Sequence, residues 1–193
     1  MRISLPLLAI ALVASSIGAA NAQQRVVTTK GSAVPSGINF AYDAEKNQIT
    51  SSGVQVKPAV LGQASTTPTT GKIVVTINLH IASTFGQFTN FRCSVYAIGG
   101  IIDLDNGTVN GAIETVGGNA KSTGGGNAVC TLSIPYSWTL AKDSGADSGL
   151  ILAFGVAAIN TNKEVQRSTL QVDGIENLPA SGTTSKFAFD VVL

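Results

Sequence analysis

His80 is the single histidine in a chain of 193 residues, and histidine is the side chain whose ordinary pKa suits proton transfer near neutrality. A nucleophilic centre of the Ser-His-Asp or Cys-His kind would have to use it as base. Serines and aspartates are plentiful, but the G-x-S-x-G elbow that exposes a nucleophilic serine on a strained turn is absent. Carboxylates offer a second chemistry. Asp103, Asp105, Glu114, Asp143 and Asp147 are the candidates for the acid and base of glycoside hydrolysis, which needs two carboxyl groups flanking one bond. Nothing in their spacing selects a pair. Trp138, with Tyr136 two residues before it, is the candidate platform for a sugar ring, and the competing reading is a large aromatic closing the end of the core.

Other patterns fail on their own requirements. Lys121-Ser122 beside glycines invites comparison with a phosphate loop, but the glycines needed at positions 115 and 120 are Thr115 and Ala120. Asp103-x-Asp105 with Glu114 imitates a calcium loop, which requires glycine at its sixth position and an oxygen ligand at its fifth. Those positions hold Thr108 and Gly107. Asn106-Gly107-Thr108 matches the N-glycosylation sequon on a turn. The two cysteines, Cys93 and Cys130, are far apart and form no C-x-x-C, so a disulfide is favoured over a metal or redox site. No cofactor is expected.

The disulfide presupposes an oxidising compartment, and the first residues predict one. Met1-Arg2 is followed by an apolar stretch from Ile3 to Val13, then by small residues ending Ala20-Asn21-Ala22. This is the pattern of a secretory signal peptide over 1–22, cleaved between Ala22 and Gln23. The apolar core is too short for a membrane span, and no later segment qualifies. A secreted or periplasmic protein, held at the cell surface by partners if at all, is the expectation. Arg2 leaves with the leader, so the 12 basic and 11 acidic residues become an even balance. A neutral chain in which only 12% of residues are charged lacks the field that draws proteins to nucleic acid or anionic membranes.

The elements that must position these groups read as strands. In Lys72–Thr84, Ile73, Val75, Ile77, Leu79 and Ile81 alternate with a second set that includes His80, the period of a half-buried strand. This turns His80 outward or into a groove. Asn90–Ile98 repeats the pattern through Phe91, Cys93 and Val95, Ile101–Leu104 follows, and Asp105-Asn106-Gly107 marks a hairpin into Thr108–Val116. Asn127–Ile134 carries Cys130 and is expected to stop at Pro135, which lacks a ladder N–H and implies an edge or bulge. Gly149–Asn160 is apolar on both faces, which predicts a central strand, and Phe187–Leu193 alternates to the last residue. Before these, Ile38-x-Phe40-x-Tyr42 and Val54-x-Val56 suggest one or two strands, while Ser65–Gly71 and the glycine-rich Gly117–Asn127 read as loops.

The fold class predicted is all-β: an antiparallel β-sandwich, immunoglobulin-like or Greek-key, with one disulfide. A signal peptide (1–22) precedes an N-terminal extension (23–71) and a core (72–193) that together form one domain. The leader, the Cys93–Cys130 spacing, the low charge and the alternating strand from Phe187 resemble the subunits of chaperone-assembled pili. The chain departs from them in placing Cys93 far from the mature N-terminus and in ending Val191-Val192-Leu193 without an aromatic signature, so no functional residues carry over. The function expected is a non-catalytic structural, adhesive or binding module that pairs with itself or a surface partner through strand edges. The alternative is a secreted hydrolase or carbohydrate-active protein using His80 or a carboxylate pair.

Overall fold

Apolar residues at every second position give these segments no helical face, and the described residues contain no helix. The computed structural model describes residues 25–28, 34, 37–55, 69–85, 89–103, 108–138 and 148–193. The proposed leader with its Ala22–Gln23 junction, the Asp105-Asn106-Gly107 turn, Asp143 and Asp147 lie outside them. In chain order the strands are β1 (Arg25–Thr28), β2 (Asn39–Asp43), β3 (Gln48–Ser52), β4 (Val54–Gln55), β5 (Thr69–His80), β6 (Asn90–Asp103), β7 (Thr108–Asn119), β8 (Lys121–Gly124), β9 (Asn127–Trp138), β10 (Ser148–Ile159), β11 (Val165–Asn177) and β12 (Thr183–Val192).

They form a six-stranded sheet, β1-β11-β10-β6-β7-β4, a four-stranded sheet, β12-β5-β9-β8, and the separate hairpin β2-β3. Most neighbours are antiparallel, but β1–β11, β4–β7 and β12–β5 are parallel. All three depart from the antiparallel expectation. The chain arrives at β12 from the opposite sheet rather than through a hairpin, so nothing forces it to run against β5.

One core joins the inner faces of the two larger sheets. Ile73, Val75, Ile77 and Leu79 of β5 and Cys130, Leu132 and Ile134 of β9 meet Cys93, Val95 and Ala97 of β6 and Leu150, Leu152, Phe154 and Val156 of β10. Three contacts fix which strands face one another. The Cys93–Cys130 disulfide links β6 to β9 across a Cα separation of 6.4 Å. Trp138 of β9 lies so close to Gly99 of β6 that a Cβ there would meet its ring carbons. Phe154 of β10 stacks on Phe189 of β12 with ring centroids 4.2 Å apart.

A second core lies on the other face of the six-stranded sheet. Ile38, Tyr42, Ala44 and Ile49 of the hairpin region cover Tyr96, Ile98, Ile151, Ala153, Leu170 and Val172. This explains why Gly149–Asn160 is apolar on both sides: β10 is central in its sheet and is covered above and below. The Tyr42 ring rests on Gly155, where any Cβ would collide with it. Its hydroxyl donates to Asn47 Oδ1 at 2.7 Å, and Asn47 Nδ2 donates to the Cys93 carbonyl at 3.0 Å. The hairpin is therefore tied to the strand that carries the disulfide.

Several expected boundaries move. Ile101–Asp103 continues β6 instead of forming its own strand, and β5 begins at Thr69, inside the expected loop. Gly117–Asn127 is not a loop. β7 runs to Asn119, the chain crosses between sheets at Ala120, and β8 turns tightly into β9 through Gly125 and Gly126, both at positive φ. β9 passes Pro135 and ends at Trp138. β8 accompanies β9 only as far as Val129, so at Pro135 that side is an open edge and the missing N–H costs no ladder bond. The strands β1, β3, β8 and β11 have no counterpart among the sequence expectations.

Burial pushes the Tyr42 phenol well above the ordinary tyrosine range, with desolvation outweighing the opposing Arg92 charge. Desolvation raises Tyr96 and Tyr136 as well. A phenol with a raised folded-state pKa contributes stability that is complete below the unfolded value of about 10 and is lost as pH rises through the folded value. The urea midpoint is expected to hold up to about pH 9 and to fall above pH 10. Tyr42→Phe should lower the neutral-pH stability by about 1 kcal/mol, through the lost Asn47 bond, and flatten the alkaline fall. An equally steep fall in the variant would remove Tyr42 as its source.

Candidate functional site

Those residues chosen from the sequence that are described do not converge. His80 ends β5 on the outer face of the four-stranded sheet, with its side chain about half exposed. Its Nδ1 lies 3.0 Å from Asn127 Oδ1 on β9, and its Nε2 lies 3.8 Å from Asp190 Oδ1 on β12. Asn78 Nδ2 donates to the same Asp190 oxygen at 3.1 Å. The register explains the cluster, since Asn78 is paired with Asp190, and His80 with both Val192 and Asn127. This is a polar seam across three strands on an open sheet face. Among the described residues, no hydroxyl or thiol joins the imidazole as a nucleophile would.

The two candidate carboxylates among the described residues are also apart. Glu114 is paired with Ala97, while Asp103 ends β6 six positions further along, which at about 3.3 Å per residue separates their backbones by roughly 20 Å. A glycosidase pair stands at most about 9.5 Å apart. Lys121 and Ser122 sit exposed on β8, a strand rather than a cradle. Trp138 is fully buried and stacks on Tyr136 at 4.2 Å. It closes the core and offers no surface to a sugar. Among the described residues, no three His, Cys, Asp or Glu side chains are grouped as a metal ion would require.

The most distinctive polar arrangement lies where the sequence drew no attention. On β11, Gln171, Asp173 and Glu176 are paired with Phe154, Leu152 and Leu150, all members of the core between the sheets. Thr169 precedes them opposite Val156. The polar row of β11 therefore points inward, and Leu170 and Val172 point to the second core. Across from it, Phe187 and Phe189 of β12 turn toward the same space. Between these strands runs a cleft of about 420 Å³, lined by Gln171, Asp173 and Glu176 of β11 and by residues 186–190 of β12. Gln171 and Asp173 are only 8% and 6% exposed, and Gln171 Oε1 has no hydrogen-bond partner. An unpartnered acceptor such as Gln171 Oε1 between two sheets costs stability that leucine or valine would not.

A second hollow, of about 300 Å³, lies at the end of the molecule where β7 gives way to β8. Phe85 and Phe91 line it edge to face, with Asn90, Asn119 and Ser122. Among the described residues it has no charged side chain and no orphaned polar atom. Among the described residues no helix is long and apolar enough to cross a membrane. No family model, no curated protein and no solved structure matches the chain.

Proposed function

We propose that the chain is an exported, non-catalytic β-sandwich that serves as a structural, adhesive or binding module in the periplasm or at the cell surface and associates through a strand edge. The observation that carries this reading is β12. Its ten residues pair with β5 on one side, and among the described strands nothing pairs with the other. An uncovered edge of that length is a template for a further strand. Val192, the one large hydrophobic side chain that is strongly exposed among the described residues at 75%, stands on this strand. The passage of the chain from β5 to β6–β7, to β8–β9, to β10–β11 and back to β12, alternating between sheets, supports the Greek-key form of the sandwich. The disulfide and the apolar leader support export.

The test is association of the purified chain, residues 23–193, by sedimentation across a wide concentration range. Reversible self-association is expected, and Val192→Lys with Ala188→Lys should abolish it without changing the melting temperature, because charge at an edge opposes pairing. A strictly monomeric wild type that also leaves cell surfaces and glycans unbound would remove the proposal. Association untouched by the two lysines would move it off β12.

A further inference from the structure

We infer that the hollow where β7 gives way to β8 is a binding site for a neutral sugar, one pyranose ring in size. This goes beyond the edge pairing at β12 and does not depend on it. The floor of the hollow is apolar and fixed by the fold. The Ala120 N–H donates to the Phe91 carbonyl at 2.8 Å, and both side chains turn to the end of the core that Ile81 and Phe85 also join. Phe85 and Phe91 stand edge to face, with ring centroids 5.8 Å apart and planes at 86°. Both are half-buried, so part of each ring stays open beside a space of about 300 Å³. A pyranose packs on such a corner through its C–H groups, whose positive hydrogens meet the negative ring face.

The rest of the lining is polar and uncharged. Thr89, Asn90, Asn119 and Ser122 contribute to it, and the last three are exposed. Ser122 is paired with the buried Ala128 and so faces the same side as the core. Its Oγ accepts from the Gly124 N–H at 3.4 Å, which leaves the hydroxyl proton to donate to a ligand. The Thr89 hydroxyl donates to Gln166 Oε1 at 3.0 Å and keeps its lone pairs as acceptors. The neighbouring cations are directed elsewhere. Arg92, next to Phe91, reaches the Glu45 carbonyl in the hairpin region on the opposite face of the sheet. Lys121 is paired with Val129, which alternates outward from the core. Arg167 stands across Ala158 from Phe91 without lining the space. An ion entering here would leave water without meeting a partner charge, and a purely apolar ligand would leave the hydroxyls unanswered. A ring with C–H faces and several neutral hydroxyl groups suits both walls.

The probes are methyl α-mannopyranoside, methyl β-galactopyranoside and N-acetylglucosamine, followed by NMR of the oxidised protein with labelled phenylalanine. At least one of them should move the Phe85 and Phe91 ring signals in a saturable way that added salt leaves unchanged. Glucosamine and glucuronate, which carry a charge on the same kind of ring, should bind at least about tenfold more weakly. Phe85→Leu keeps the apolar bulk and removes the aromatic face. It should weaken binding about tenfold while the melting temperature holds. Ser122→Ala, at an exposed position that threatens folding little, should weaken binding about threefold. No ring movement with any of the three sugars, charged sugars binding as well as neutral ones, cyclohexanol binding as tightly as the best sugar, or full affinity in Phe85→Leu would each overturn the assignment. Self-association through β12 would stand untouched by any of these results.

Discussion

The Cys93→Ala, Cys130→Ala double variant is expected to unfold about 4 kcal/mol more easily than the oxidised protein. The two cysteines are 37 positions apart, and closing a loop of that size in the unfolded chain removes about this much conformational freedom on the chain-entropy account. The location of the bridge adds to the consequence. Cys93 belongs to β6 of the six-stranded sheet and Cys130 to β9 of the four-stranded one. Both are fully buried in the shared core, and the Cys93 carbonyl also receives the Asn47 bond from the hairpin. The bridge thus joins both sheets at a point to which the hairpin is also tied. Against a typical total of about 5–15 kcal/mol, such a loss is large enough to depress the yield of folded protein. Urea titrations of wild type with and without reductant, and of the double variant, measure it. Coincident curves for oxidised and reduced wild type would show that the bridge contributes nothing.

The bridge was legible in the sequence because two signals agreed. Phe91-x-Cys93-x-Val95 and Ala128-x-Cys130-x-Leu132 each place the cysteine on the apolar side of an alternating strand, and the fold sets both on the same core. The central position of β10 was legible for a similar reason, since Leu150–Ile159 offers no polar side. Alternation reports which side chains share a face and nothing about what covers that face. That limit hid the cleft. Thr169, Gln171 and Asp173 alternate with Leu170 and Val172, and the default reading of such a run sends its polar half to water. Here the hairpin β2-β3 covers Leu170 and Val172 on the outside, which leaves the polar half on the inside. The signal that could have found it is tertiary: a strand whose apolar half belongs to a second core.

The glycine-rich stretch failed differently. Gly117-Gly118 and Gly124-Gly125-Gly126 look like slack, because glycine weakens strand propensity. At Gly118 a Cβ would meet Leu132 of β9, so the small residue allows the two sheets to approach near the crossing at Ala120. The three later glycines all take positive φ, the conformation that a tight reversal into β9 demands and other residues resist. His80 stands on the outer face of its strand, one of the two placements its alternation allows, but its partners Asn127 and Asp190 come from elements distant in sequence, and only sheet register reveals them.

Phe154→Ala is the second large effect, expected to cost about 3–5 kcal/mol. Phe154 is fully buried in the middle of β10, paired with Val95 on one side and Gln171 on the other, so neighbouring strands cannot collapse into the space it leaves. Its ring also stacks on Phe189 at 4.2 Å and an interplanar angle of 21°. Truncation leaves Phe189 without that partner, a further loss of about 1 kcal/mol that falls on β12, the strand bearing both the free edge and one wall of the cleft. Phe189→Ala separates the two contributions. Phe189 is only partly buried, so its truncation should cost roughly 1–2 kcal/mol and speed amide exchange along β12 while β10 stays protected. Phe154→Ala should cost at least twice as much in urea titration and accelerate exchange in both strands. If the two variants were equally destabilised, the core would not be held at Phe154, and β12 would be anchored by its ladder to β5 instead of by the aromatic stack.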